Sequence, residues 1–221
     1  MKKTILISMI FCSMITFGQT NEEIDQVELT KEIQIWNKKD NKMSFAFWIP
    51  QSYWRIASKD NPEVLEENIA LIETTFENYI LLFAADISIS ANATFTYKDD
   101  STLRSELKII DFKGNEHFPI SNDLLPPYIS AIMANITPMF SQTFGQMGEG
   151  MHFYLFNNTD SKNRVLISEK ERGDFIVKHS NNEFKWTLPL VSMMPEKYCP
   201  SDNQKMKGNW KYCPIHGVKL D

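Results

Sequence analysis

"DFIVKHSNNEFKWTLPL" (Asp174–Leu190) carries the clearest structural signal in the chain. Two runs of alternating apolar and polar residues flank an Asn-Asn pair. A two-residue hairpin turn needs positive φ at both central positions, which Asn tolerates better than most residues. With Asn181 and Asn182 as the turn, Phe175 pairs with Leu188, Val177 with Trp186 and His179 with Phe184 on one face. Lys178 then stands opposite Lys185 on the other face, where like charges repel and only solvent makes the pair tolerable. A hairpin with one wholly apolar face must be covered, so the fold needs a second layer.

Outward from this hairpin the chain is rich in strand signals. Glu28 to Asn37 and Met43 to Ile49 read as strands, the second with Phe45 and Phe47 on one face and Ala46 and Trp48 on the other. "ILLFAADISIS", "ATFTYKD", "MHFYLFNN" and "RVLIS" read as further strands, and "ELKIIDFKGNEHFPI" as a hairpin turning at Lys113-Gly114-Asn115. Asn61 to Tyr79 reads as an amphipathic helix with Asn61 as N-cap, Pro62 in the first turn and a stripe of Leu65, Ile69, Ile72, Phe76 and Tyr79. "PPYISAIMANITPMFSQTFG" reads as two short helical pieces, the second beginning at Thr137-Pro138. Nine or ten strands, paired mainly as hairpins, against two or three helices predict an α+β fold. Its centre is a mostly antiparallel, sandwich-like sheet with helices packed on it. A boundary near Pro195 separates a β-rich region (19–195) from a short C-terminal segment (196–221).

The chain opens with "MKKTILISMIFCSMITFGQT". Two lysines, an apolar run too short to span a bilayer, and Thr16 and Gly18 at the −3 and −1 positions describe a signal peptide, residues 1–18, cut before Gln19. Cys12 follows Phe11, where a lipoprotein signal has a small residue, so a lipid anchor is not expected. The expected location is the periplasm or the extracellular space, with no stable membrane insertion after cleavage. Loss of Lys2 and Lys3 takes the net charge from −5 to −7, which disfavours nucleic acid as a partner. Lys outnumbers Arg 19 to 4, a usage associated with AT-rich bacterial genomes.

The end of the chain, "KYCPSDNQKMKGNWKYCPIHGVKL", repeats itself: Lys197-Tyr198-Cys199-Pro200 returns as Lys211-Tyr212-Cys213-Pro214, with Met206 matching Leu220. Gly217 follows the second copy at a place where a chain turns through left-handed conformation, and Asn203, the residue type next best suited to it, follows the first. The pattern resembles the two knuckles of a zinc ribbon, confined to about the last 25 residues. The resemblance implies a metal site of Cys199, Asp202, Cys213 and His216, the Asp and His standing where the family usually has two further thiolates. The spacer between the knuckles is also shorter than is usual there. The competing expectation is a Cys199–Cys213 disulfide. The leader takes Cys12 with it, an even pair remains in an exported chain, and closing a fifteen-residue loop stabilises by about 3 kcal/mol. The two states exclude each other, because a disulfide sulfur is no thiolate ligand.

Other constellations point to bland roles. Gly145, Gly148 and Gly150 follow a helix and precede a strand, the reverse of a phosphate-binding loop, and read as a helix cap and connection. Met139, Met147, Met151 and His152 could hold a soft metal but read as core filling. His117 and His179 have no partner identifiable in sequence. Phe45, Phe47, Trp48, Tyr53 and Trp54 read as core rather than as a binding platform. No nucleophile or metalloprotease motif occurs. The expectation is an exported, non-enzymatic binding or structural module with a disulfide-clipped end and no cofactor. The alternatives are a zinc-binding periplasmic protein and a hydrolase assembled across the sheet.

Overall fold

A computed structural model describes residues 24–59 and 65–221. The expected signal peptide and the expected helix cap at Asn61-Pro62 lie outside the described residues.

The elements run α1 (Gln26–Ile33), β1 (Gln34–Lys39), β2 (Lys42–Ile49), α2 (Tyr53–Ser58), α3 (Glu66–Phe76), β3 (Tyr79–Ile89), β4 (Phe95–Tyr97), α4 (Asp100–Glu106), β5 (Lys108–Ile110), β6 (Glu116–His117), α5 (Pro127–Thr143), β7 (His152–Asn157), β8 (Gly173–His179) and β9 (Asn182–Leu188), followed by two short strands in the C-terminal segment. The fold is mixed α+β with antiparallel sheets. One sheet has the order β1-β2-β3-β4, and β7 pairs with the first half of β3 on the edge that β4 occupies further along. The other has the order β6-β5-β8-β9.

The two sheets share one core. Trp48 of β2 meets Phe175 edge-on at 4.9 Å and lies beside Trp186, whose indole N–H donates to the Glu32 carbonyl of α1. The opposite face of β2 places Phe45 and Phe47 against Phe144 at the end of α5, and Phe47 against Tyr53 of α2. β2 is therefore covered on both sides, and its residues from Ser44 to Ile49 are all buried. The aromatic cluster serves packing, as expected.

The β8–β9 hairpin corrects its expected register. The turn is Ser180-Asn181, both at positive φ (50° and 62°), and Asn182 is the first residue of β9, opposite His179. Phe175 thus pairs with Trp186 and Val177 with Phe184. Asn182 is drawn out of the turn because its amide donates to Ser44 Oγ (2.9 Å) on the facing sheet. The slip is two residues, so every side chain keeps its face and the apolar set stays buried. The like-charge pair disappears: Lys178 faces Glu183 and ion-pairs with it, and Lys185 pairs with Asp174 at 2.7 Å.

Four further expectations change. Residues 28–33 are helical, because the Asp25 carboxylate caps the N–H groups of Val27 and Glu28 and Leu29 and Ile33, four apart, are both buried. That spacing satisfies a strand alternation equally well. Pro138 lies inside one continuous α5 and starts no second helix; Thr137 Oγ1 donates to the Met133 carbonyl (2.7 Å) one turn back. "RVLIS" forms only a single bridge, Val165 to Thr159. Helix α3 runs from Glu66 to Phe76 with Leu65 at its N-cap, so the expected stripe loses its two ends: Leu65 precedes the helix and Tyr79 opens β3. The glycine-rich segment is a 3-10 turn between α5 and β7. Gly150 is required there because a Cβ would fall 2.2 Å from the Tyr97 ring.

Candidate metal centre

The C-terminal segment is a pair of like turns with its own small core. Strands β10 (Lys197–Tyr198) and β11 (Lys205–Met206) pair antiparallel, and the bridge from Tyr212 to Lys219 repeats that pairing fourteen residues on. Inside the first turn, Cys199 N–H donates to Gln204 O (2.9 Å) and Asn203 N–H to Cys199 O (2.7 Å). Inside the second, Cys213 N–H donates to Val218 O and Gly217 N–H to Cys213 O, both at 2.8 Å. Asn203 (φ 58°) and Gly217 (φ 67°) take the left-handed positions expected of them. Met206 and Leu220, the matched apolar residues, are buried with Cys199 and Cys213, and Trp210 and Val218 pack against them.

Both cysteines are buried and their sulfurs are not bonded to one another. His216 Nδ1 stands 3.3 Å from Cys199 Sγ and 3.6 Å from Cys213 Sγ, and the three donor atoms all lie within 4.8 Å of one another. Asp202 Oδ2 is 3.8 Å from the same nitrogen, while Oδ1 accepts the Gln204 N–H at 3.0 Å, which holds the carboxylate toward the cluster. Metal–sulfur bonds of about 2.3 Å and metal–nitrogen bonds of about 2.0–2.1 Å put S···N edges of a tetrahedron at about 3.5–3.6 Å. The observed separations fall close to those edges. Cys199, Cys213 and His216 therefore form a group that could hold a metal ion, and the Asp202 carboxylate lies beside it.

The electrostatics differ between the two thiols. Burial opposes the thiolate at both. At Cys199 it prevails, and the thiol sits above its ordinary value. At Cys213 the N–H groups of His216 and Ile215 aimed at the sulfur outweigh it and bring the thiol down to about 7. The Gln204 N–H, aided by the neighbouring Cys199 thiol and His216, holds Asp202 below the usual carboxylate range.

The remaining sequence candidates are placed in structural roles. His117 pairs with Asp111 (3.1 Å), whose carboxylate organises the β5–β6 turn by accepting from the N–H groups of Lys113 and Asn115. His179 is buried against Phe184, donates from Nε2 to the Phe45 carbonyl and is pushed down to about 4 by desolvation. Met151 is buried at the foot of β7 as core filling, but Met139 is exposed on α5, contrary to that expectation. An open polar cleft of about 1160 Å³, invisible to sequence motifs, lies where the sheets part. On its floor Lys98 contacts Asp86 (3.2 Å), Glu106 and Ser180 Oγ (both 2.8 Å), a compensated network drawn from β3, α4 and the β8–β9 turn. These groups come from separate elements, Ser180 standing 82 residues beyond Lys98, and follow no spacing rule.

Comparison of the chain with protein-family models, with curated proteins and with solved structures found no match.

Proposed function

We propose that residues 196–221 form a mononuclear zinc centre that fastens the end of an exported bacterial structural or binding module, with Cys199, Asp202, Cys213 and His216 as donors. The observation that carries this reading is His216 Nδ1 standing 3.3 and 3.6 Å from two cysteine sulfurs at the mouths of matched turns. Two thiolates and an imidazole favour zinc over calcium or magnesium, which take oxygen donors. Four protein donors leave no open position, which suits a structural site. The centre also adjoins the body: Lys207 reaches Glu28 of α1 (3.3 Å), and Gly208 sits so close to Pro195 that a Cβ there would lie 2.3 Å from its carbonyl oxygen. The charged start and short apolar run of residues 1–18 support export.

The test is zinc content of the full chain prepared under reducing conditions, with affinity from competition against a chelating indicator. One zinc per chain is expected. His216→Ala should weaken binding by about 100-fold or more and Asp202→Asn by about 10-fold. Reduced wild-type protein that retains no zinc at micromolar free metal would refute the proposal.

A further inference from the structure

We infer that the paired turns are a redox-controlled metal site: oxidation joins Cys199 to Cys213 and expels the metal. This rests on the zinc reading above and adds its regulation.

Three observations carry it. The two sulfurs are neighbours, within 4.8 Å, and both are unbonded, so a movement of under about 3 Å would close the gap to an S–S bond. The backbone that presents them is held largely by contacts that involve no sulfur atom of either cysteine: four N–H···O bonds inside the turns, the β10–β11 pair and the buried Met206 and Leu220. The His216 N–H, which donates to Cys213 Sγ at 3.4 Å, is the backbone contact that a disulfide would alter. The donor set contains only two thiolates, so one two-electron event removes every thiolate ligand at once. A four-cysteine site keeps two thiolates after the same event. What remains here is Asp202 and His216, whose side chains are 29% and 36% exposed, a two-donor remnant that water displaces from a metal.

With hydrogen peroxide as oxidant the chemistry closes. One thiolate attacks a peroxide oxygen, the O–O bond breaks, and a sulfenic acid and hydroxide result. The second thiolate attacks the sulfenic sulfur, the S–S bond forms, and a second hydroxide leaves. The sulfurs have lost two electrons and peroxide has gained them. Two protons from buffer acid convert the hydroxides to water, and the metal departs as the dication. A dithiol, the reductant, reverses the change by thiol–disulfide exchange.

The experiment uses the full chain, reduced, loaded with zinc and freed of reductant. Hydrogen peroxide is titrated in while a chromogenic indicator reports zinc and intact mass reports oxidation. The expected result is one zinc released per disulfide, a mass loss of about 2 Da, and recovery of binding after dithiothreitol and added zinc. His216→Ala, which should hold zinc far more weakly, should still form the disulfide, because most contacts that hold the turns do not involve the His216 side chain. If the reduced chain takes up no zinc, the metal reading fails and the switch with it. If zinc binds but disulfide forms without release, or release requires sulfinic and sulfonic products, the switch is overturned while the metal site stands. Failure of His216→Ala to form the disulfide, with its far-UV circular dichroism unchanged, would overturn the role given to the backbone.

Discussion

Asn203 and Gly217 occupy equivalent corners of the two turns, at φ 58° and 67°, yet the sequence fills them differently. A Cβ at Gly217 would meet nothing within 4 Å, so the cost of a side chain there is backbone strain alone. Gly217→Ala should therefore destabilise the C-terminal segment by about 1–2 kcal/mol, whereas Asn203→Gly should be neutral to within about 0.5 kcal/mol. Amide hydrogen exchange at the Cys199 and Cys213 N–H groups, compared between the two variants, measures the difference. Equal protection in both would show that the second turn does not depend on left-handed backbone. Residue identity thus reveals where each turn must bend, the knuckle resemblance implies that His216 joins the two cysteines, and the structure supplies the distances at which it does so.

The β8–β9 hairpin is the element on which the two sheets meet. Its buried face carries Phe175, stacked on Trp186 at 5.0 Å, and the Trp186 indole also binds the Glu32 carbonyl. Trp186→Ala should cost about 3–5 kcal/mol in chemical denaturation, since it opens a cavity and orphans that carbonyl. Lys178→Ala should cost less than about 0.5 kcal/mol, because its pair with Glu183 is a partly exposed surface bridge. Comparable losses for the two would contradict the assignment of faces. The alternation alone told which residues are inside. The register did not follow from it, because both registers keep the same parity and the choice rests on Asn182 reaching Ser44 from another sheet.

Across the whole molecule, His179 couples the joint between the sheets to pH. Desolvation lowers it to about 4, against an ordinary value of 6.5, so the folded state holds it neutral while the unfolded chain protonates it first. A depressed folded value means that stability is complete above pH 6.5 and is lost as pH falls toward 4, by about 3 kcal/mol in total. Asp111, held at about 2 by the turn it organises, should add a further loss below pH 3.8. Denaturant titrations from pH 7 to 4 measure the first slope, and His179→Phe should flatten it. A wild-type stability constant across that range would disprove the buried neutral histidine.

The sequence alone determined the fold class, the faces of β2 and of the β8–β9 hairpin, and the doubled turn with its left-handed corners. Each of these is local, a matter of period or of the backbone freedom of single residues. Where two local readings coincide, tertiary packing decided. Leu29 and Ile33 fit strand and helix alike until Asp25 capped the N-terminus of α1 and both side chains were buried. Pro138 could start a helix or lie within one, and the structure carries α5 through it. The grouping of Cys199, Cys213 and His216 was implied by the knuckle resemblance and is what the structure brings together, whereas the Lys98–Asp86–Glu106 network is a tertiary fact, since it joins groups on separate elements that no sequence spacing links.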